Sequence, residues 1–355
     1  PQDLLGLLFV LVSTTLTMTR AMQAFILAGG FATRLWPLTE KRAKPLLPLA
    51  GKPIITHIVE QIPPEIPITV STNAIFAGAF AEWRAGQSRK DITIVVEETT
   101  KDDEKIGALG ATAQWLTAES IDDDLLLLAG DNYFGFPITA VLEEFRNRKD
   151  HVLFAAREVR SIEEAKRFGV VITDEPQNQR AGKKIVRWRA KGFMEKPKDP
   201  PSKIVSTGCI VFPKGVLELL IQYAGKHPDN MGGVLDHFIH DQKMEVEYVR
   251  FDAPWFDIGS YDAYLEATQI LVSPGKPVIH PTAEVDEESR KRCTGSVVIG
   301  AGTRVKESEL INTILFDHCT VTDCSLERCI LDDNCTLHSI DLTGKMLRSG
   351  TTIKK

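Results

Sequence analysis

Along the first two-thirds of the chain, apolar residues fall into short unbroken runs; beyond that they recur in a slower rhythm. Residues 24–27 (AFIL) and 125–128 (LLLL) do not alternate with polar positions, which predicts strands buried on both faces, as in a parallel sheet. Runs at 66–72, 91–98, 151–159 and 245–251 predict further strands. Between them, 54–62, 136–148, 213–224 and 232–242 have helical spacing, with Pro53 suited to a first turn, and Gly107 and Gly110 open another apolar helix. Strands alternating with helices imply an α/β fold, a mostly parallel Rossmann-like sheet flanked by helices. Such sheets bind ligands at the carboxyl ends of their strands.

From residue 278 the period changes. Residues 298–313, 314–329 and 330–345 align without gaps, with Val305, Val321 and Leu337 in one column and Leu310, Leu326 and Leu342 in another. Apolar positions every five or six residues suit short strands around a triangular coil, each coil stacked on the next. Residues 278–285 begin the same unit before an insertion containing Glu287 to Arg292. The pattern resembles the left-handed parallel β-helix of hexapeptide-repeat proteins, here with about four coils. The predicted division is an extension over 1–21, an α/β domain over 22–273 and the β-helix over 274–355.

Composition narrows the function. A chain of 355 residues with 43% apolar content can bury two cores. Its net charge of −6, without a basic block, argues against a nucleic-acid partner. Residues 4–16 are apolar but too short to span a bilayer comfortably and lack a preceding basic region, so no membrane association is expected. Five of the six cysteines follow residue 290, and Thr303, Cys319 and Cys335 share a repeat column. Spacings of five and six are not zinc knuckles, so buried free thiols are expected. His227, His237 and His240 likewise lack ligand spacing.

The candidate chemistry sits after the first strand. Gly29 and Gly30 have no Cβ to hold a ligand away, Thr33 adds a hydroxyl, and Arg34 and Lys44 add fixed positive charge. That combination suits a polyphosphate, although it is neither a Walker loop nor the dinucleotide fingerprint. Asp131, at the tip of the four-leucine strand, either caps a following helix or holds Mg²⁺, which favours one or two carboxylates plus phosphate oxygens.

GGFATRLWPLT followed by KPLLPLAGKP resembles the signature of the sugar-1-phosphate nucleotidylyltransferases, the NDP-sugar pyrophosphorylases, of the glucose-1-phosphate thymidylyltransferase type. The resemblance implies a cytoplasmic enzyme that makes an NDP-sugar and pyrophosphate from a nucleoside triphosphate and a sugar 1-phosphate, with Mg²⁺. Members usually begin just before the first strand, which points to Met22 and makes 1–21 an upstream extension, a cleaved signal being the alternative. It assigns Leu27, Gly29, Gly30, Thr33, Glu98, Gly107 and Asp131 to the nucleotide. Gly169, Glu195, Lys196, Thr207 and Gly208 fall to the sugar phosphate, from a strand at 168–171, the FMEKP motif and a Thr-Gly turn. Arg34, Lys44 and Lys196 become the catalytic cations, and Asp131 with Asp257 of Trp-Phe-Asp-Ile-Gly the metal ligands.

The implied chemistry is in-line attack of the sugar phosphate on the α-phosphorus, driven by positioning and charge neutralisation. Glucose 1-phosphate with dTTP or UTP is the first expectation, and mannose 1-phosphate with GTP the second. Two other readings are a non-catalytic relative of translation initiation factor exchange subunits and a bifunctional acyltransferase. The first is opposed by the joint presence of Arg34, Lys44, Asp131, Lys196 and Asp257, the second by the short β-helix. A homo-oligomer is expected from the exposed β-helix edge, with the β-helix serving assembly or covering the catalytic domain.

Overall fold

The computed structural model describes residues 21–101, 105–176 and 185–355. The predicted extension, up to residue 20, lies outside the described residues. In chain order the first part comprises β1 (Met22–Leu27), the hairpin β2 (Pro48–Leu49) and β3 (Lys52–Pro53), α1 (Ile54–Val59), β4 (Ile68–Asn73), α2 (Ala77–Ala85), β5 (Ile92–Glu97) and α3 (Ala108–Ala118). There follow β6 (Asp124–Ala129), β7 (Asn132–Phe134), α4 (Ile138–Asn147), β8 (Val152–Glu158), α5 (Ile162–Ala165), β9 (Gly169–Ile172), β10 (Arg187–Arg189) and β11 (Gly192–Glu195). The remainder is β12 (Ile204–Phe212), α6 (Leu217–Ala224), α7 (Met231–His240), β13 (Val246–Arg250), β14 (Trp255–Asp257) and α8 (Tyr261–Leu271).

The central sheet runs β10-β13-β8-β12-β6-β1-β4-β5. β6, β1, β4 and β5 are parallel, as are β8 and β13, while β12 returns antiparallel between the two groups. The unbroken apolar runs have the expected cause. Leu126 and Leu128 enter the core on one face with Ala24 and Ile26, whereas Leu125 and Leu127 enter the other with Phe25, which stacks on Trp115 at 4.4 Å. Among the described residues, no helix is long and apolar enough to cross a membrane.

The repeat closes into a parallel β-helix with three faces, two of five strands and one of four. Registers follow the predicted columns, Val305 to Val321 to Leu337 and Leu310 to Leu326 to Leu342, and the insertion forms a short helix, Glu287–Lys291. The six cysteines are free and buried; Thr303 accepts from the Cys319 backbone N–H at 3.0 Å, keeping their shared column in register. Ser206 to Gly208 is not the expected turn: it lies within β12, where the pairing with β8 shifts register between Ser206 and Ile210. A bulge re-aims side chains without ending a strand.

Candidate active site

β1 delivers the glycine turn to the carboxyl edge of the sheet. The Asn73 side-chain amide donates to the Gly29 carbonyl at 3.0 Å, and the Thr39 hydroxyl donates to that of Ala32, which is left-handed at φ 48°. The two glycines serve different ends. A Cβ on Gly29 would stand 2.6 Å from Glu97 Oε1, so a protein side chain requires that glycine, whereas a Cβ on Gly30 would meet nothing. Gly30, Thr33 and Arg34 line a cavity of about 300 Å³ together with Leu27, Lys44 and Asp131.

Asp131 follows β6, but no helix begins there for it to cap. The chain instead enters β7, which pairs antiparallel with β14 and sets Asn132 opposite Asp257. This ribbon brings the two predicted carboxylates to one point, and Lys44 Nζ donates to Asp131 Oδ2 at 2.7 Å and to Asp257 Oδ1 at 2.8 Å. Burial by itself would lower the Lys44 ammonium, but the two carboxylates outweigh it and hold the group above its ordinary value. Burial likewise works to raise Asp257, yet Lys44, with help from Arg34 and Arg167, carries it below the usual carboxylate range. The cap of α8 is Ser260, whose hydroxyl accepts from the Ala263 backbone N–H, so Asp257 has no capping role.

A second cavity of about 240 Å³ shares Asp131 with the first, adds Asp257, and gathers Gly169, Glu195, Thr207 and Gly208 from β9, β11 and β12, with Lys196 just past the end of β11. The Thr207 hydroxyl is turned into the sheet, donating to the Ala155 carbonyl at 2.8 Å. Its carbonyl accepts from Asn132 Nδ2 and Trp255 Nε1, tying the bulge to both strands of the ribbon. Gly169 is required by the Phe193 ring, 2.4 Å from where a Cβ would be, and Gly208 by a φ of 78° and the Ala129 side chain. Lys196 is exposed, left-handed at φ 43°, and lies 3.2 Å from Glu195. Arg167, passed over in the sequence, lines the same cavity as a second cation.

At the end of β5, Glu98 is exposed, and its neighbour Glu97 faces the glycine turn, accepting from the Ser71 hydroxyl at 2.6 Å. Glu97 is the last residue of β5 and Glu98 lies just past the strand's end; both line a further cavity with Ser71 and Trp115. Burial raises the Glu97 carboxyl above its ordinary value, against the pull of the Ser71 bond. Gly107 caps α3 at φ 76° and is packed against the backbone of Pro228, 2.4 Å from where a Cβ would be.

One other cluster among the described residues has metal-like proximity, His151 with Glu245 and Glu247, where β13 begins. There Glu247 is already paired with Arg148 and Arg187.

The nucleotidyl transferase family model matches residues 23–273. A mannose-1-phosphate guanylyltransferase of Mycobacterium tuberculosis is 27% identical over 330 residues, covering 87% of this chain and 84% of its own. A UTP–glucose-1-phosphate uridylyltransferase of Haloferax volcanii is 28% identical over 253 residues, 70% of this chain and 96% of its own. The fold is shared with the solved UDP-glucose pyrophosphorylase of Acinetobacter baumanii, at a TM-score of 0.56 and 17% identity over 70% of this chain and 93% of that one. The chain is an enzyme of the nucleotidyl transferase family.

Proposed function

We propose that the enzyme transfers a nucleotidyl group from a nucleoside triphosphate to a sugar 1-phosphate. What carries this reading is that two cavities, one walled by the glycine turn and the other by β9, β11 and β12, share Asp131. A two-substrate phosphoryl reaction needs such an arrangement, with the reacting phosphates meeting at a common wall. A phosphate oxygen of the sugar 1-phosphate attacks the α-phosphorus, and the bond to the bridging oxygen breaks as pyrophosphate leaves. The attacking oxygen is already ionised at neutral pH, so no side chain need remove a proton. Arg34 neutralises the departing pyrophosphate, Lys44 the triphosphate, and Lys196 with Arg167 the incoming sugar phosphate. Backbone N–H groups at Gly29 and Gly30 approach the nucleotide, and Glu195 takes sugar hydroxyls.

Asp131 and Asp257 fit a divalent ion. Both aim a carboxylate oxygen at one point, that point already holds a cation in the Lys44 ammonium, and two carboxylates plus phosphate oxygens are the donor set magnesium prefers. When bound there, Mg²⁺ supplies charge neutralisation for phosphoryl oxygens of both substrates.

Glucose 1-phosphate with dTTP or UTP follows from the sequence resemblance. A second reading, GTP with mannose 1-phosphate, is favoured by Glu97. A carboxylate offers only acceptors, which match the adjacent N1–H and N2–H donors of guanine, whereas uracil and thymine present one N–H between two carbonyls. A grid of nucleoside triphosphates against sugar 1-phosphates, scored by pyrophosphate release, tests both. Turnover with no pair would overturn the transferase reading.

A further inference from the structure

One face of the β-helix differs from the other two. Its strands Val298–Ile299, Ile314–Leu315, Ile330–Leu331 and Met346–Leu347 are apolar at both positions. Ile299, Leu315 and Leu331 fill the β-helix core, so Val298, Ile314 and Ile330 must point outward. On the second face Thr320 and Thr322 flank Val321, and on the third Ser325 and Glu327 flank Leu326; an outward apolar column is peculiar to the first.

That column is covered by α8 and by the segment joining the glycine turn to α1. Leu35, Leu38, Leu47 and Leu49 are all at most 1% exposed and share a core with Val298, Ile314, Phe316, Ile330 and Tyr264. The same segment carries Arg34 and Lys44, and it is pinned between them. The Arg42 guanidinium donates to Asp333, lies 3.6 Å from Asp332 and stands 5.0 Å above the Phe316 ring. Glu40 pairs with Arg348 at 3.0 Å. Further on, the Tyr264 hydroxyl of α8 donates to the Pro48 carbonyl. The phosphate-side segment thus takes much of its core and its ionic anchors from the β-helix.

We infer that the β-helix is a working part of the active site, clamping the segment that presents Arg34 and Lys44, with Arg42 as the positioning residue. Arg42 precedes Lys44 by two residues, and Ala43 between them is fully buried. A shift of the Arg42 backbone therefore reaches the Lys44 ammonium and the carboxylates it joins. This depends on Arg34 and Lys44 being phosphate ligands, as proposed above, so the test has one arm that needs no substrate.

In the full chain, Arg42→Ala should speed amide exchange across residues 33–46 about tenfold or more, with β4 and β6 unchanged. The Asp332→Asn/Asp333→Asn pair, altered only on the β-helix, should do the same, and Arg42→Lys should restore part of the protection. In turnover, the same variants should lose about tenfold in kcat/KM for the triphosphate while KM for the sugar 1-phosphate holds, because misplacement of a charged group is felt by the substrate it contacts. Exchange across 33–46 within about twofold of wild type would overturn the clamp, as would faster exchange throughout the molecule with a lowered Tm, the signature of a general stabiliser. Should Arg42→Ala not fold, Arg42→Lys and Glu40→Gln carry the same comparison. An inactive wild type would count against the functional reading alone, since amide exchange still reports on the clamp.

Discussion

Asn132 and Asp257 stand opposite each other in a two-stranded ribbon, and that pairing makes neighbours of Asp257 and Asp131 although the two acids are far apart in sequence. Lys44 then joins both carboxylates at hydrogen-bond distance. The ribbon is fixed from behind by the Thr207 carbonyl, which accepts from a side chain on each strand.

Replacing either carboxylate should stop catalysis without unfolding the chain. Asp131→Asn and Asp257→Asn keep side-chain shape but remove the charge that faces the reacting phosphates. Loss of one such electrostatic contact typically lowers turnover about 10²–10³-fold. Circular dichroism should match wild type while pyrophosphate release falls. Near-normal rates in either variant would remove these residues from the chemistry.

The same triad sets a pH dependence of stability. Asp257 lies below the ordinary carboxylate value of 3.8 in the folded chain, so its contribution is present above that value and is lost as pH falls through the lower folded value. Lys44 lies above its ordinary 10.5, so its contribution is present below that value and fades as pH rises through the higher one. The difference in unfolding free energy between wild type and Asp257→Asn should therefore be flat across neutral pH and shrink in acid, below about pH 4. Urea titrations from acid to neutral pH read this directly, and a difference that grew on acidification would reverse the assigned shift.

The two glycines of the turn should separate under mutation. Gly29→Ala drives a methyl group into Glu97, 2.6 Å from Oε1, which should cost about 1–3 kcal/mol as other overpacked sites do. Gly30→Ala meets no protein atom, so its Tm should stay at the wild-type value while nucleotide affinity falls. Adding Glu97→Ala should recover the stability lost in Gly29→Ala. Equal Tm losses at the two positions would mean that the turn tolerates no side chain for reasons of backbone alone.

Much of this was legible in the chain, and the remainder shows where one-dimensional pattern stops. Unbroken apolar runs identified β1 and β6 because both faces of those strands are covered, and the sixteen-residue columns became β-helix registers unchanged. The small, alanine-rich α2 has no signature in the sequence because Ala77–Ala85 has little apolar contrast to reveal a period. The β7–β14 ribbon has only three residues per strand, too few for alternation to show. That Glu97 faces the glycine turn depends on the register of β5 on β4, which sets Glu97 beside Asn73 and within reach of Ser71. Arg42 stands beside Lys41 and Arg167 beside Lys166, and nothing in the sequence singles out one cation of each pair, because their partners come from distant elements. The outward column of the β-helix was present in its paired apolar residues but acquires meaning only once Leu35 and Leu38 are seen against it.

Glu97→Gln tests base reading. The amide keeps one acceptor and gains a donor, which suits an N–H beside a carbonyl better than two adjacent N–H groups. If GTP is the substrate, kcat/KM for GTP should fall about tenfold or more, the worth of a hydrogen bond to a charged group, while that for UTP or dTTP rises. An unchanged preference profile would place base recognition elsewhere on the turn.

The β-helix cysteines distinguish a packed ladder from a metal site. Cys293, Cys319, Cys324, Cys329 and Cys335 are all buried, and their thiols donate to backbone carbonyls, Cys319 to Asp332 at 3.2 Å and Cys335 to Arg348 at 3.3 Å. Burial pushes the Cys293 thiol up to about 11 and the Cys209 thiol, in the sheet, up to about 12, so neither supplies thiolate at neutral pH. A thiol reagent should therefore modify the native protein slowly and react with six groups once it is unfolded in denaturant. Treatment with a strong zinc chelator should leave Tm unchanged, because the ladder is held by aliphatic packing around Leu310, Leu326 and Leu331 and by register bonds such as that from the Cys319 N–H to Thr303. A Tm that fell on chelation and returned with zinc would show the thiols serving as ligands, and the packing account of this domain would have to be withdrawn.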